Sequence, residues 1–224
     1  MDMSISGAGR IAPGEYENIR ISGSGRLCGL VRCASLHTAG ACSGESLDCA
    51  GQTKTAGSCS FSGDVSSNKL SCSGSFSCGG NVRSNSLSVC GAASVKGDIT
   101  AETATVIGAI KCKGLLNAET VRIKSDGFCH IGAIGGSNVV IRPEHSTSVL
   151  QRVPLLSRLF KEKWQKIRIE NHIEADVIEL VNVSAPRVSG RIVTVGEGCE
   201  VDLVQYSEQI DISPNAKVGR TEKI

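Results

Sequence analysis

Cysteine is the residue type in this chain with the most scope for chemistry: 11 of the 224 residues are cysteines. No Cys-x-x-Cys pair occurs, so zinc ribbons and thioredoxin-like redox sites lack their basic unit. The first ten residues show neither a charged nor an apolar segment typical of a secretion signal. An odd number of cysteines without such a signal argues against a disulfide framework. We therefore expect a cytoplasmic protein whose reduced cysteines serve as small buried hydrophobic residues.

Acidic residues are the second candidate for chemistry, because paired carboxylates on a β-sheet surface can cleave polysaccharides. They crowd two regions: Glu170, Glu174, Asp176 and Glu179 in one, and Glu197, Glu200 and Asp202 in the other. Sugar sites usually add aromatic platforms, and the whole chain has one Trp, two Tyr and four Phe. The four histidines are isolated in the sequence, and no phosphate-binding motif is present. We therefore expect no catalytic, metal or cofactor site, and a carbohydrate-active or acyl-transfer enzyme is the least favoured alternative.

An internal repeat in the sequence predicts the secondary-structure elements that position the cysteines and the acidic residues. Six glycines are spaced evenly, each 17 positions after the one before: Gly23, Gly40, Gly57, Gly74, Gly91 and Gly108. Apolar and polar residues alternate between them, which is the period of a β-strand. The glycines would supply the bent or left-handed backbone that a corner between strands needs.

Columns of similar residues share the same interval. One runs through Leu27, Phe61, Cys78, Val95, Cys112 and Cys129, and is broken by Gly44. A second contains Val31, Val65, Val82, Ile99 and Leu116, and a third, of small residues, contains Cys33, Ala50, Ser67, Ser84, Ala101 and Ala118. The same interval of 17 residues predicts that Cys42 stacks on Cys59, and Cys112 on Cys129, in successive turns. The interval returns near the C-terminus, where Val193, Val195, Cys199 and Val201 recur as Ile210, Ile212, Ala216 and Val218.

A repeat of this length, made of three short strands, predicts an all-β fold: a parallel β-helix of about 12 turns, in which each turn pairs with the next. Right-handed winding is expected because parallel crossover connections nearly always have that hand. A narrow interior filled by Val, Ile, Leu, Cys and Ala would explain the few aromatic residues. The predicted division is a main body over 1–149, an insertion over 150–166 and a continuation over 167–224.

The insertion interrupts the strand pattern. Pro154 suits the first turn of a helix, and the apolar residues that follow fall on one helical face, with lysines and arginines around the other. The sequence predicts a short amphipathic helix that either packs on the solenoid or contacts a membrane surface or a partner protein. The contacting residues would be Leu155, Leu159, Phe160 and Trp164.

The repeating units resemble those of the bactofilins, polymer-forming proteins of the bacterial cytoskeleton, and among them a longer Gram-positive type. The residues that carry the resemblance are 21–25 (Ile-Ser-Gly-Ser-Gly), 63–65 (Gly-Asp-Val), 97–99 (Gly-Asp-Ile) and the even spacing of the repeat. The resemblance implies a right-handed β-helix that assembles end to end into filaments without nucleotide. It also implies a scaffold role for cell-shape, envelope or motility proteins.

An uncapped end of a solenoid exposes free backbone groups and a slice of apolar core, which can template another chain. The expected self-assembly ends are Met3, Ile5 and Ile11 at one end, and Ile210, Ile212 and Val218 at the other. The expected partner is therefore a second copy of the chain, with peripheral membrane contact through 150–166 as a further possibility. The net charge of +2 excludes a strongly basic nucleic-acid binder. The alternative function is a monomeric or dimeric adaptor that uses 150–166.

Overall fold

In a computed structural model, which describes residues 1–125, 129–143 and 167–224, the chain is an all-β parallel solenoid of about 11 turns. The described residues contain no helix, and so none that is long and apolar enough to cross a membrane. The predicted helix over 150–166 lies outside them, and so do Leu155, Leu159, Phe160 and Trp164.

Sixteen strands of the described residues form one sheet in which every strand pair is parallel. Eleven precede residue 143: β1 (Met3–Ile5), β2 (Ala8–Ile11), β3 (Gly14–Ile21), β4 (Ser24–Thr38), β5 (Ala41–Thr55), β6 (Ser58–Phe61), β7 (Val65–Cys72), β8 (Ser75–Cys78), β9 (Val82–Val95), β10 (Ile99–Lys124) and β11 (Cys129–Arg142). Five follow residue 166: β12 (Ile167–Ile169), β13 (His172–Leu180), β14 (Val183–Val195), β15 (Glu200–Ile212) and β16 (Lys217–Lys223). Because β12 and β13 pair with β11, the described residues on both sides of the gap belong to one continuous stack.

The solenoid has three faces, because the chain turns a corner after each of the three strand segments of a repeat. In the second turn, face 1 is residues 24–27, face 2 is residues 31–33 and face 3 is residues 35–38, all within β4. Each residue pairs with its equivalent in the next turn, as Ser24 does with Ala41 on face 1 and Leu36 with Thr53 on face 3. Alternate side chains point into the stack, and the interior is a single core of aliphatic, alanine and cysteine side chains with two phenylalanines.

The glycine column has a different physical basis from the one that the sequence predicted. Gly23, Gly40, Gly57 and Gly74 have ordinary backbone angles, and in this column only Gly91 and Gly108 have a positive φ, of 153° and 118°. A Cβ added to Gly57 would lie 2.1 Å from the carbonyl oxygen of Gly40 in the preceding turn, and the other members meet the same obstacle. The even spacing is therefore imposed by close contact between the backbones of successive turns.

Two predicted columns need correction. Cys129 pairs with Ile110, and Cys112 pairs with Ile131, so Cys112 and Cys129 are not stacked. The cause is a longer turn at this step, which carries two residues more than the repeat predicts. In the small-residue column Cys49 occupies the inward place expected for Ala50, which is exposed, because the turn that starts at Cys33 is one residue shorter than the repeat predicts. The pairing of Cys42 with Cys59 agrees with the prediction.

Candidate functional site at the two ends of the solenoid

The N-terminal end is formed by β1, β2 and the first half of β3, which pair only with the turn that follows them among the described strands. Of the predicted contact residues, Met3 is half-buried and Ile5 is 9% exposed, whereas Ile11 is fully buried within the first turn. The side chain of Ile5 folds over Gly9, since its carbon atoms would lie 3.1–3.3 Å from a Cβ placed there. The accessible apolar surface at this end is therefore small, and Met3 and Ile5 lie at its edge.

The C-terminal end is more open. Ile210 and Val218 are half-buried, and Ile212 is 36% exposed. The last strand, β16, pairs with the first half of β15 only, so residues 209–212 have a paired neighbour on one side only among the described residues. This incomplete turn leaves the backbone groups of 209–212 and of β16 at the edge of the sheet, where a strand from another chain could pair with them.

Tyr206 and Ala216 also contact the core at this end, and Tyr206 was missed by the sequence analysis. Its backbone carbonyl accepts a hydrogen bond of 2.9 Å from the amide of Ile224. The two-residue alternation of a β-strand could have identified it, because Tyr206 lies two residues after the buried Val204 in the same strand.

Charge is distributed unequally along the solenoid axis. Residues 1–125 contain twelve Lys and Arg against nine Asp and Glu, whereas residues 167–224 contain six against ten. The part of the solenoid formed by residues 1–125 is therefore net positive, and the part formed by residues 167–224 is net negative. Interactions between exposed charges of this kind guide association and are weakened by salt.

Most of the cysteines are packed in the interior as the sequence predicted, but Cys28 is half-buried and Cys90 is exposed. Nine are buried: Cys33, Cys42, Cys49, Cys59, Cys72, Cys78, Cys112, Cys129 and Cys199. Burial raises the pKa of the Cys112 thiol to about 11. The hydrogen bond that Cys49 receives from Cys33 lowers the pKa of Cys49, and it raises that of Cys33. The described residues contain no cluster of three potential metal ligands.

Three of the seven acidic residues considered for catalysis, Glu170, Glu200 and Asp202, line an open groove of about 640 Å³ on face 1. It is lined by Arg168, Ile169, Glu170, Ser184, Ala185, Pro186, Glu200 and Asp202. Two of these carboxylates are paired: Glu170 with His130, at 2.5 Å, and Glu200 with Lys217, at 3.1 Å. His130 is therefore less isolated than its place in the sequence suggested. No aromatic ring is among the described residues that line the groove.

Comparison with known proteins gives two short similarities. The chain is 40% identical to the uncharacterized protein YhbE of Bacillus subtilis (strain 168) over 52 residues, which are 23% of this chain and 22% of YhbE. It is 26% identical to the uncharacterized protein YhbF of the same organism over 100 residues, which are 45% of this chain and 37% of YhbF. The matched parts thus span between about a fifth and two fifths of these relatives. No known family profile and no solved structure matches the chain.

Proposed function

We propose that this chain is a non-enzymatic scaffold protein that assembles end to end into polymers without nucleotide, as its resemblance to the bactofilins implies. The observation that carries the proposal is the pair of sheet edges at the two ends. At each end, the described strands pair with one neighbouring turn only, beside half-buried apolar side chains. A second copy placed on such an edge continues the same backbone pairing at the spacing of about 4.8 Å between strands.

The proposal also includes four further features, which concern the handedness of the solenoid, residues 150–166, the location of the protein and its partners. The solenoid is right-handed, and residues 150–166 form an amphipathic helix that contacts the solenoid, a membrane surface or a partner. The protein acts in the cytoplasm, where envelope or motility proteins are its partners. If any one of these features proves wrong, the proposed assembly through the two ends is unaffected.

The test introduces a charge at each end separately. Met3→Lys at the N-terminal end and Ile212→Lys at the C-terminal end both change half-buried or exposed residues, so each variant should still fold. The buried charge at a contact would oppose association through desolvation and like-charge repulsion. Sedimentation velocity in about 0.5 M salt, where the screening length is about 4 Å, measures end contacts with surface charge pairs suppressed.

The pattern of products identifies the contact. If unlike ends meet, either substitution converts polymers to monomers; if like ends meet, each single variant stops at dimers through its unchanged end. Lys96→Glu is the control, because Lys96 is exposed on the side of the rod away from both ends, and it should polymerise like the wild type. A wild-type protein that remains monomeric at high concentration contradicts the proposal and favours the adaptor function.

A further inference from the structure

Face 3 carries a column of outward side chains whose charge changes sign along the rod. In order from the N-terminal end, the column is Ser4, Arg20, His37, Lys54, Ser71, Ser88, Thr105, Arg122, Val140, Glu179, Thr194 and Asp211. Its basic residues are concentrated near the N-terminal end, and its two acidic residues lie near the C-terminal end. Ser71, Ser88 and Thr105 follow the basic group, and Arg122 and Val140 come before the first acidic residue. Within one molecule, the described residues give no ion-pair partner to Arg20, Lys54 or Asp211.

We propose that face 3 binds face 3 of a second copy, with the two rods side by side and antiparallel. This contact is independent of the end-to-end assembly proposed above. An antiparallel two-fold axis along the strand direction returns each column to itself in reverse order. In the register that places Thr105 on the axis, Arg20 faces Asp211 and Lys54 faces Glu179, and each pair occurs twice.

One charged residue of this contact is already paired within its own molecule. Glu179 forms an ion pair with Arg142 of the same molecule and is 34% exposed. Lys54 of the second copy would approach the same carboxylate from the open side, where the side chain of Lys54 is exposed in the single molecule. Both acidic residues of the column would thus face a basic residue, and Arg122 would face Ser88.

The neighbouring outward column on face 3 is compatible with the same arrangement. It runs through Asn18, Ser35, Gln52, Lys69, Ser86, Thr103, Thr120, Asn138, Val177, Ile192 and Gln209. In the same register Lys69 faces Asn138, and no two charges of the same sign meet. The half-buried side chains of Val177 and Ile192, together with Val140 of the first column, would be covered by the second copy.

The size of face 3 is sufficient for a dimer. Eleven rows at about 4.8 Å, each about 13 Å wide, give about 690 Å² on each partner. The total of about 1,400 Å² lies within the range of about 1,200–2,000 Å² that specific interfaces bury. The small serine and threonine side chains in the middle rows leave the face flat enough for close approach.

The other two faces do not have this complementarity. On face 2, Arg32 is already paired with Glu15 and Asp48 of its own molecule. The antiparallel register that works for face 3 would set Asp48 against Glu174 there, and a shift by one turn would set Glu15 against Glu222. On face 1 three basic residues, Lys111, His130 and Arg168, stack in successive described turns. If two face-3 surfaces packed with the rods parallel instead, the basic residues near the two N-terminal ends would lie opposite one another.

Charge reversal at Lys54, in the third turn, and at Glu179, in the ninth turn, tests the proposal without changing the residues at either end. Lys54→Glu should weaken dimerisation about tenfold or more at about 0.05 M salt, since two like-charge contacts replace two favourable ones. Glu179→Lys should do the same. The double variant Lys54→Glu/Glu179→Lys should recover to within about threefold of the wild type, which is the signature of direct pairing. Arg83→Glu, the same kind of charge change on face 2, should have no effect.

Sedimentation equilibrium of the four variants, with thermal melting as a check on folding, separates the outcomes. Failure of the double variant to recover, or a wild-type dimer that is unaffected by salt and by Lys54→Glu, would overturn the pairing of face 3. Failure of end assembly leaves this result unchanged, because it is measured at different residues and different salt.

A cross-linking experiment checks the axis itself and does not depend on charge. Thr105→Cys in a Cys90→Ser background should form a covalent dimer with a short bis-maleimide reagent, because Thr105 faces its own equivalent. Arg83→Cys in the same background is the matched control and should give no covalent dimer. Equal cross-linking of the two variants would exclude the proposed axis.

Discussion

At the scale of single residues, cysteine acts in this fold mainly through its size. Inward positions are narrow, and a thiol fills the space between the aliphatic residues of adjacent turns without adding a polar group that needs a strong partner. Phe61 shows how the narrow interior accommodates a large side chain. Its ring occupies the space that a side chain at Gly44 would take, as a Cβ there would lie 2.6 Å from the ring. At this place a large residue is thus accommodated by the smallest one in the adjacent turn, which keeps the interior closely packed.

Burial of the thiols predicts a loss of stability in alkaline solution. Burial raises the pKa of Cys112 from 9.0 to about 11, and it also raises the pKa values of Cys72, Cys78 and Cys129. The folded state thus holds these protons more tightly than the unfolded state. The stabilisation is complete below pH 9 and is lost as the pH rises from 9 through 11. We expect the free energy of unfolding, from urea titrations, to fall between about pH 9 and about pH 11.

A comparison of variants isolates the contribution of Cys112. The variant Cys112→Ala should be less stable at about pH 8 because it leaves a small cavity, but its stability should fall less steeply with pH. Cys90→Ser, at an exposed position, should follow the wild-type curve. A free energy of unfolding that increases over this range would contradict the assignment of these thiols as buried and protonated.

At the scale of elements, successive turns are joined by ladders of hydrogen bonds from backbone and side chain. At one corner, Asp64 accepts a hydrogen bond from the amide of Asn81, whose side chain accepts one from the amide of Asp98. Asp98 in turn accepts one from the amide of Leu115. The glycine column marks another corner, where the backbones are too close for a side chain. Corners are therefore specified as strictly as the interior.

The glycine column gives a prediction with an internal control. Gly57→Ala should destabilise the protein by about 2 kcal/mol or more, because its Cβ would overlap the carbonyl oxygen of Gly40 and force the two turns apart. Gly7→Ala lies in the same column at the exposed end, where a Cβ would meet no atom within 4 Å. It should change stability by less than about 0.5 kcal/mol. Urea unfolding of both variants at low protein concentration measures this difference, and equal losses would refute the steric explanation.

At the scale of the whole molecule, each turn contacts only its neighbours, so stability is expected to decrease towards the ends. The interior turns are held on both sides, whereas β1 and β16 each pair with one described strand. Association and stability are therefore linked, because a second copy at an end would supply the missing neighbour.

Hydrogen exchange measures this link directly. In dilute protein in about 0.5 M salt, the amides of residues 3–5 and 217–223 should exchange much faster than those of 82–89, since end strands open locally. Raising the protein concentration should slow exchange at one or both ends and leave the interior unchanged. Slowing confined to face 3, with no change at β1 and β16, would show that the ends are not the assembly contacts.

The sequence alone determined the architecture, for a physical reason that operates locally. A corner without room for a side chain recurs once in every turn at an even spacing, and inward positions must be apolar, so both constraints are visible as periods in the sequence. From them follow the parallel pairing, the three strands in a turn, the inward cysteines and the pairing of Cys42 with Cys59. The return of the period at residues 193–218 placed Ile210 above Val193 correctly.

Only the tertiary structure decided the register wherever the turns differ in length. The turn from Cys112 to Ile131 is longer than the repeat predicts, and the turn from Cys33 to Cys49 is shorter. Extra or missing residues at a corner or bulge can be accommodated in several places, and a slip of one residue exchanges the inside for the outside. Backbone hydrogen bonding between turns selects one solution, and this selection placed Cys49 in the core, His130 beside Glu170 and Glu179 in the same face-3 column as Lys54.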